Sequence, residues 1–398
     1  MLKFYKHRGG HYKRYQPEIV VYSPSIISHL RTEFTMILVS THTLKPGICL
    51  AKPIHNENGF VLISEGIPLT ERMIIRLNEL GISYVYVEDE RTSDLKPVKP
   101  ISDEVRLKAK KVIEVNLMGI QDKEVLRQSF ILEKTTKELS KIIKALLHEI
   151  KTNKELITLL SEVITYDNYI FSHSLNVTLY SLAIGTQLNL SEKELEVLGL
   201  GAILHDVGKM TIPTSILMKP GKLTNEEFEI IKKHTESGFE ILRNVLTIPL
   251  IAAHCAYQHH ERIDGSGYPR GIKGEEIHNY ARIIAVADVF DAVTSNRVYR
   301  RAMLPHEGLE ILYAGVGKLF DTSIIEAFRR SVVVYPLGLT VFLNDERKGV
   351  VSKQNQGLSE RPVVRIIEEK GQAVNPPYEV DLMKELHLVI TECETTLR

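Results

Sequence analysis

The residues of this chain best suited to chemistry begin with an adjacent pair, His205-Asp206, at the end of the apolar run Val197 to Leu204. Burying an imidazole beside a carboxylate at such a place is costly unless a cation satisfies both. A metal ion does so, and at neutral pH it also acts on a bound water. Further candidates are His173, His234, the pair His259-His260, and Asp288. They recur at intervals of 32 residues (173 to 205), 29 (205 to 234), 25 (234 to 259) and 28 (260 to 288). Each interval is about one helical hairpin, so successive turns of a bundle could deliver their ligands to one central point. Five imidazoles and two carboxylates exceed the needs of one tetrahedral ion. They suit two ions with open or water-filled positions and one carboxylate bridging. His254, His278, His306 and His387 are read as structural or exposed.

The elements that must position these residues are helices. From Tyr166 to about Tyr335 the pattern predicts helices near 169–186, 191–207, 224–244, 247–258, 279–294, 305–316 and 322–332. Ser191 with Glu194, and Thr224 with Glu227, fit the capping box. The long exception is Glu261 to Glu276, rich in Gly, Asp and Pro, and a loop of that length in a helical domain is more often functional than idle. Upstream, Asp103 to about Thr165 is helical, with Leu139, Ile142, Leu146 and Ile150 on one face. That face packs on its own domain or, as a minority reading, forms a homodimer through 103–165. Residues 36–90 read as a small α/β module: a strand around Ile48 to Ile54, a turn at Asn56 to Gly59, a strand at Phe60 to Ile63, a helix capped by Thr70 and ended by Gly81, and a strand at Tyr84 to Val87. Asp94 to Pro100 is a linker. After Pro336, short strands at 341–343, 349–351 and 363–367 predict a small β-barrel or sheet.

Composition excludes several function classes. Lys+Arg and Asp+Glu both number 50, so no global field draws the chain to a nucleic-acid polymer or a membrane. Any phosphate site is therefore local. Cys49, Cys255 and Cys393 are scattered, which fits free thiols rather than disulfides. No apolar stretch approaches the ~18 residues of a membrane span, and a cytoplasmic location is expected. Residues 1–35 carry six Lys/Arg against two acids and are set aside as a disordered basic extension.

His205-Asp206 in an all-helical setting resembles the HD superfamily of metal-dependent phosphohydrolases. The stretch His259-His260-Glu261-Arg262-Ile263-Asp264-Gly265-Ser266-Gly267-Tyr268-Pro269 is similar to its HD-GYP branch, as are Tyr166-Asp167-Asn168-Tyr169 before His173 and Ala285 to Ala292. The expected fold is mainly α. An HD-type helical bundle catalytic domain (151–335) follows a small α/β N-terminal module (36–95) and a helical linker (96–150). A small β-barrel-like domain (336–398) ends the chain.

The resemblance implies a phosphodiesterase that linearises cyclic di-GMP to pGpG, or further to GMP, through a metal-bridged water. It implies that His173, His205, Asp206, His234, His259, His260 and Asp288 are metal ligands, with Asp206 bridging. Lys209 would contact the scissile phosphate, from the helical face of His205. Gly267, Tyr268 and Pro269 would line the pocket, and Asp291, Arg297 and Arg300 would bind substrate. Mixed His/carboxylate ligation favours two divalent transition-metal ions, Fe, Mn or Co, over Ca or Mg. Tyr169 stands where members with a third ion carry Glu, which favours two. Ile170 and Val298 depart from the frequent Thr and Pro without removing a ligand. The competing readings are a phosphohydrolase for 3'3'-cGAMP or (p)ppGpp, and a receptor that binds a cyclic dinucleotide without cleaving it.

Overall fold

The computed structural model describes residues 36–55, 61–89, 92, 101–120, 129–152, 169–219, 221–295, 302–355 and 357–396. The basic extension, the 56–59 turn, the 94–100 linker, and Val298 with both substrate arginines, Arg297 and Arg300, lie outside the described residues. So do the side chains of Tyr169 and Ile170, and with Tyr169 the argument for two ions rather than three.

The N-terminal module contains β1 (Ile37–Ser40), β2 (Ile54–His55), β3 (Val61–Ile63), α1 (Glu71–Glu79) and β4 (Tyr84–Val87). Strand β1 pairs antiparallel with β4, and β2 with β3. The Thr70 hydroxyl accepts from Met73 N at 3.3 Å to start α1, and Gly81 at φ +73° follows its end. The strand expected at 48–54 is mostly absent. Only bridges at Cys49 and Leu50 and the two-residue β2 remain, because Pro53 offers no N–H to a ladder.

The helical body comprises α2 (Asp103–Ile120), α3 (Ser129–Thr152), α4 (Tyr169–Gln187), α5 (Glu192–Leu204), α6 (Thr214–Leu217), α7 (Asn225–Lys232), α8 (His234–Leu242), α9 (Leu250–Gln258), α10 (Asn279–Thr294), α11 (Pro305–Ala314) and α12 (Thr322–Ser331). Both expected capping boxes form, at Ser191 before α5 and Thr224 before α7. Helix α4 is apolar on most sides and is enclosed by α5, α10 and α12, as an all-round apolar helix must be. Two expected helices are shorter. The one at 224–244 breaks between Lys232 and His234, and the one at 191–207 stops at Leu204 and gives way to a 3-10 turn, Val207–Thr211. Leu139, Ile142 and Leu146 of α3 are buried in the chain's own core, against α2 and α5, so that face is already used internally.

The C-terminal region is a five-stranded antiparallel sheet in the order β8-β7-β6-β5-β9. Its strands are β5 (Thr340–Leu343), β6 (Arg347–Lys353), β7 (Val363–Glu369), β8 (Gln372–Asp381) and β9 (Ile390–Glu394). The last two were not legible in the pattern. Both lie at sheet edges, and β8 holds Pro376 and Pro377, which edge strands tolerate and central strands do not.

The N-terminal module and the C-terminal sheet share one core. Leu38 N donates to Gly338 O at 2.9 Å and Ser40 N to Thr395 O at 2.7 Å. Met36, Leu38 and Tyr86 pack with Leu339, Val341 and Val364, while Ile37 and Val39 pack with Val350 and Ile367. Leu38 is fully buried between them. Leu38→Ala should cost about 3 kcal/mol in urea unfolding. Amide exchange at Val341 and Val351, at the far end of the sequence, should accelerate in step. Unchanged protection there would refute a shared core.

Candidate metal centre

Each expected ligand sits at or next to a helix end, except His173 and Asp288. His205 caps the C-terminus of α5, with Asp206 next to it; His234 opens α8; His259 caps α9, followed by His260; Asp288 lies in α10; His173 lies within α4. All seven converge. His173 Nε2 lies 3.4 Å from Asp206 Oδ2 and 3.1 Å from Asp288 Oδ1, and His205 Nε2 lies 3.3 Å from Asp206 Oδ2. On the other side of the same carboxylate, His234 Nε2 is 3.3 Å and His259 Nε2 3.7 Å from Asp206 Oδ1. His260 Nδ1 is 3.8 Å from Asp288 Oδ2. Two groups of side chains able to hold an ion result, His173/His205/Asp206 and Asp206/His234/His259/His260, and Asp206 belongs to both.

The four imidazoles of His173, His205, His234 and His259 have no solvent exposure, and Asp206 retains 2 %. His260 at 16 % and Lys209 at 17 % mark the side that solvent reaches. Burial pushes His234 down to about 4 from 6.5, against the attraction of Asp206. Burial likewise drives His259 and His260 well below the usual imidazole value. For Asp206, burial alone would raise the carboxyl, but Lys209 and His205 hold it well below the ordinary carboxylate range. Asp288 is held low against its burial by His173 and His260. Imidazoles driven toward the neutral form at His234, His259 and His260, beside the ionised carboxylates of Asp206 and Asp288, are in the protonation state a metal requires. Among the described residues, His205 Nε2 and Asp206 Oδ1 are buried without a hydrogen-bond partner, which an ion between them would supply.

The imidazoles are oriented from behind. His205 Nδ1 meets Ala202 O at 2.7 Å, His234 Nδ1 meets Ile231 O at 2.6 Å, and His259 Nδ1 meets Ala256 O at 3.0 Å. With Nδ1 donating, Nε2 is left as the ligand atom. His173 Nδ1 instead meets Asp291 Oδ2 at 2.7 Å. Asp291, expected to bind substrate, thus orients an imidazole here. It is 1 % exposed, and its other oxygen accepts from Asn176 Nδ2 at 2.8 Å and Ser295 Oγ at 2.9 Å. Both oxygens of Asp291 are engaged by the chain's own side chains.

Lys209 also differs in detail. Because α5 stops at Leu204, Lys209 rides on the 3-10 turn and its Nζ meets Asp206 Oδ2 at 2.5 Å, so its partner is Asp206 rather than the face of His205. Gly208 makes this turn possible. A Cβ there would sit 1.9 Å from His234 O, so only glycine lets the turn lie against the start of α8. Gly267 has the same role in the long loop, where a Cβ would fall 2.4 Å from His260 O. Tyr268 N donates to His260 O at 3.1 Å, and its ring lies 4.7 Å from the His260 ring, tilted by 33°. Pro269 follows through a cis peptide bond. His278 accepts from Tyr280 N and caps α10, a structural task.

Residues 144–324 match the model of the HD domain, and residues 340–396 match a KOW domain associated with HD domain. Residues 144–324 are an HD domain. The Gly267-Tyr268-Pro269 loop after His259-His260 is the feature by which this segment resembles the HD-GYP branch. The chain is 37% identical over 216 residues to the cyclic di-GMP phosphodiesterase PA4108 of Pseudomonas aeruginosa, covering 54% of this chain and 52% of the relative. It is 47% identical over 148 residues to the cyclic di-GMP phosphodiesterase response regulator RpfG of Xanthomonas campestris pv. campestris, covering 37% and 39%. It is 39% identical over 178 residues to the 3'3'-cGAMP-specific phosphodiesterase 2 of Vibrio cholerae, covering 44% and 34%. The chain thus spans about half or less of the length of these relatives. No described helix is long and apolar enough to cross a membrane.

The HD domain's buried imidazoles make stability depend on pH. His234 titrates lower in the folded state than the 6.5 of the unfolded chain, so on acidification the unfolded state takes up the proton first. Stability is therefore complete above pH 6.5 and declines as pH falls toward about 4. In chelator, the step from pH 7 to 5 should remove about 2 kcal/mol through His234 alone. Thermal melting of wild type against His234→Gln measures this, and parallel pH profiles for the two would contradict the assignment.

Proposed function

We propose that the HD domain is a metal-dependent phosphodiesterase that hydrolyses cyclic di-GMP to pGpG, or on to GMP, using two divalent transition-metal ions, Fe, Mn or Co. The observation that carries this reading is the two-sided arrangement about Asp206. Oδ2 faces His173 and His205 and Oδ1 faces His234 and His259, so Asp206 would serve both groups of ligands. His173, His205 and Asp288 would serve one ion, and His234, His259 and His260 the other. When bound, such a pair activates a shared water and neutralises the non-bridging oxygens of a phosphodiester.

The chain's own residues then do the rest. Lys209, at the solvent-reached side of the cluster, places its ammonium where charge develops on phosphate oxygens. Tyr268 backs His260 and, with Gly267 and Pro269, would line the approach. Arg297 and Arg300, in the segment after α10, would hold the second phosphate or a guanine edge by bidentate contacts. Asp291 would fix the ring of His173.

A second reading has its own support, since one relative is a 3'3'-cGAMP-specific phosphodiesterase. The two substrates share every phosphate and differ in one base, so a common centre serves either. The test combines metal analysis with product identification in one preparation of the full chain. About two transition-metal ions per chain and conversion of cyclic di-GMP to pGpG are expected, with a slower rate on 3'3'-cGAMP. Asp206→Ala should lose both the metal and turnover by at least about 100-fold. Normal turnover in that variant sinks the proposal, a reversed substrate preference selects 3'3'-cGAMP, and binding without product selects a receptor.

A further inference from the structure

We infer that Arg106, on α2, is a positioning residue for the metal centre, acting on His173 through Asn176 and Asp291. The inference rests on the proposed metal site and adds to it a residue upstream of the 144–324 HD segment.

The contacts form a continuous chain. Arg106 NH2 donates to Asn176 Oδ1 at 3.2 Å, Asn176 Nδ2 donates to Asp291 Oδ1 at 2.8 Å, and Asp291 Oδ2 accepts from His173 Nδ1 at 2.7 Å. A side-chain amide has one accepting and one donating end. With a guanidinium at one side and a carboxylate at the other, a single amide orientation satisfies both. Asp291 calls for the donating end of Asn176, and Arg106 locks that orientation by binding the accepting end. The direct partners of Asp291 among the described residues are His173, Asn176 and Ser295, none a permanent cation. The Arg106 guanidinium is a permanent positive charge reaching this buried carboxylate through a single amide, and charge-assisted hydrogen bonds are roughly twice as strong as neutral ones.

Helix α2 is built to hold that guanidinium in place. Ser102 Oγ accepts from Val105 N at its start, Glu149 Oε2 accepts from Ser102 N at 3.1 Å, and Ala109, Ile113 and Leu117 are buried in the main core. The helix packs on α4, which carries His173, and on the 207–211 turn, which carries Lys209.

The test is cobalt(II) titration of the metal-free full-length protein, read by visible absorbance, which needs no substrate. Arg106→Ala should weaken binding at one of the two ions about 10-fold, the lower end for residues behind a ligand, and shift its absorption band. Arg106→Lys should recover part of the loss. Leu117→Ala, which loosens α2 without touching the chain of contacts, should lower the melting temperature and leave cobalt affinity unchanged. Wild-type affinity and spectrum in Arg106→Ala, or an equal loss in Leu117→Ala, overturns the inference. If Arg106→Ala does not fold, Arg106→Gln decides on the same readout, with an intermediate loss expected and wild-type behaviour contradicting. A wild-type protein that binds no cobalt overturns the proposed function itself, which is a distinct result.

Discussion

The structure depends on one buried carboxylate. An isolated carboxylate in a dry interior costs several kcal/mol even after relaxation, and Asp206 is buried almost completely. Imidazoles approach it from both sides and Lys209 adds one full charge. That requirement dictates where helices stop. α5 must end at Leu204 for Asp206 to turn inward, Gly208 must carry no side chain for the turn to meet α8, and α7 and α8 must be separate helices for His234 to open the second.

Helix ends also explain how the imidazoles are aimed. The last four carbonyls of an α-helix lack intrahelical partners. Ala202, Ile231 and Ala256 lie in the final turns of α5, α7 and α9, and each receives the Nδ1 of a histidine three residues further on. One hydrogen bond closes a helix and orients a ligand at once. His173 has no such option, because it sits inside α4 where the carbonyls belong to the helix ladder. It needs a side-chain acceptor, and Asp291 supplies it. Asp288 and Asp291 are three residues apart on one face of α10, so the His173 ring lies between two carboxylates, one at each nitrogen.

This asymmetry accounts for what the sequence could and could not reveal. The seven converging residues were legible because His, His-Asp and His-His recur at hairpin spacing and few other residue types can surround an ion. Asp291 was read as a substrate contact while its oxygen meets the back of His173, since spacing cannot tell a carboxylate facing substrate from one facing the back of an imidazole. Asn176 and Arg106 carried no signal at all. An Asn within an apolar helix and an Arg near a helix start look ordinary until the fold brings positions 106, 176 and 291 together. The shared core of the N-terminal module and the C-terminal sheet was invisible for the same reason. Leu38 and Val341 each fit a small module of their own, and pairing across three hundred residues leaves no local pattern.

The wiring behind His173 follows from that shared core. The C-terminal sheet is tied to the HD domain at α12, where Arg329 Nε meets Glu360 Oε2 at 3.0 Å and Ser359 Oγ donates to Arg329 O at 3.1 Å. Helix α12 packs on α4. The N-terminal module, joined to that sheet through Leu38 and Ser40, precedes α2 in the chain, and α2 also packs on α4. Both connections from the terminal regions thus reach the helix that carries His173. His205, His234 and His259 instead take their Nδ1 partner from a main-chain carbonyl three residues away, and are fixed by local geometry.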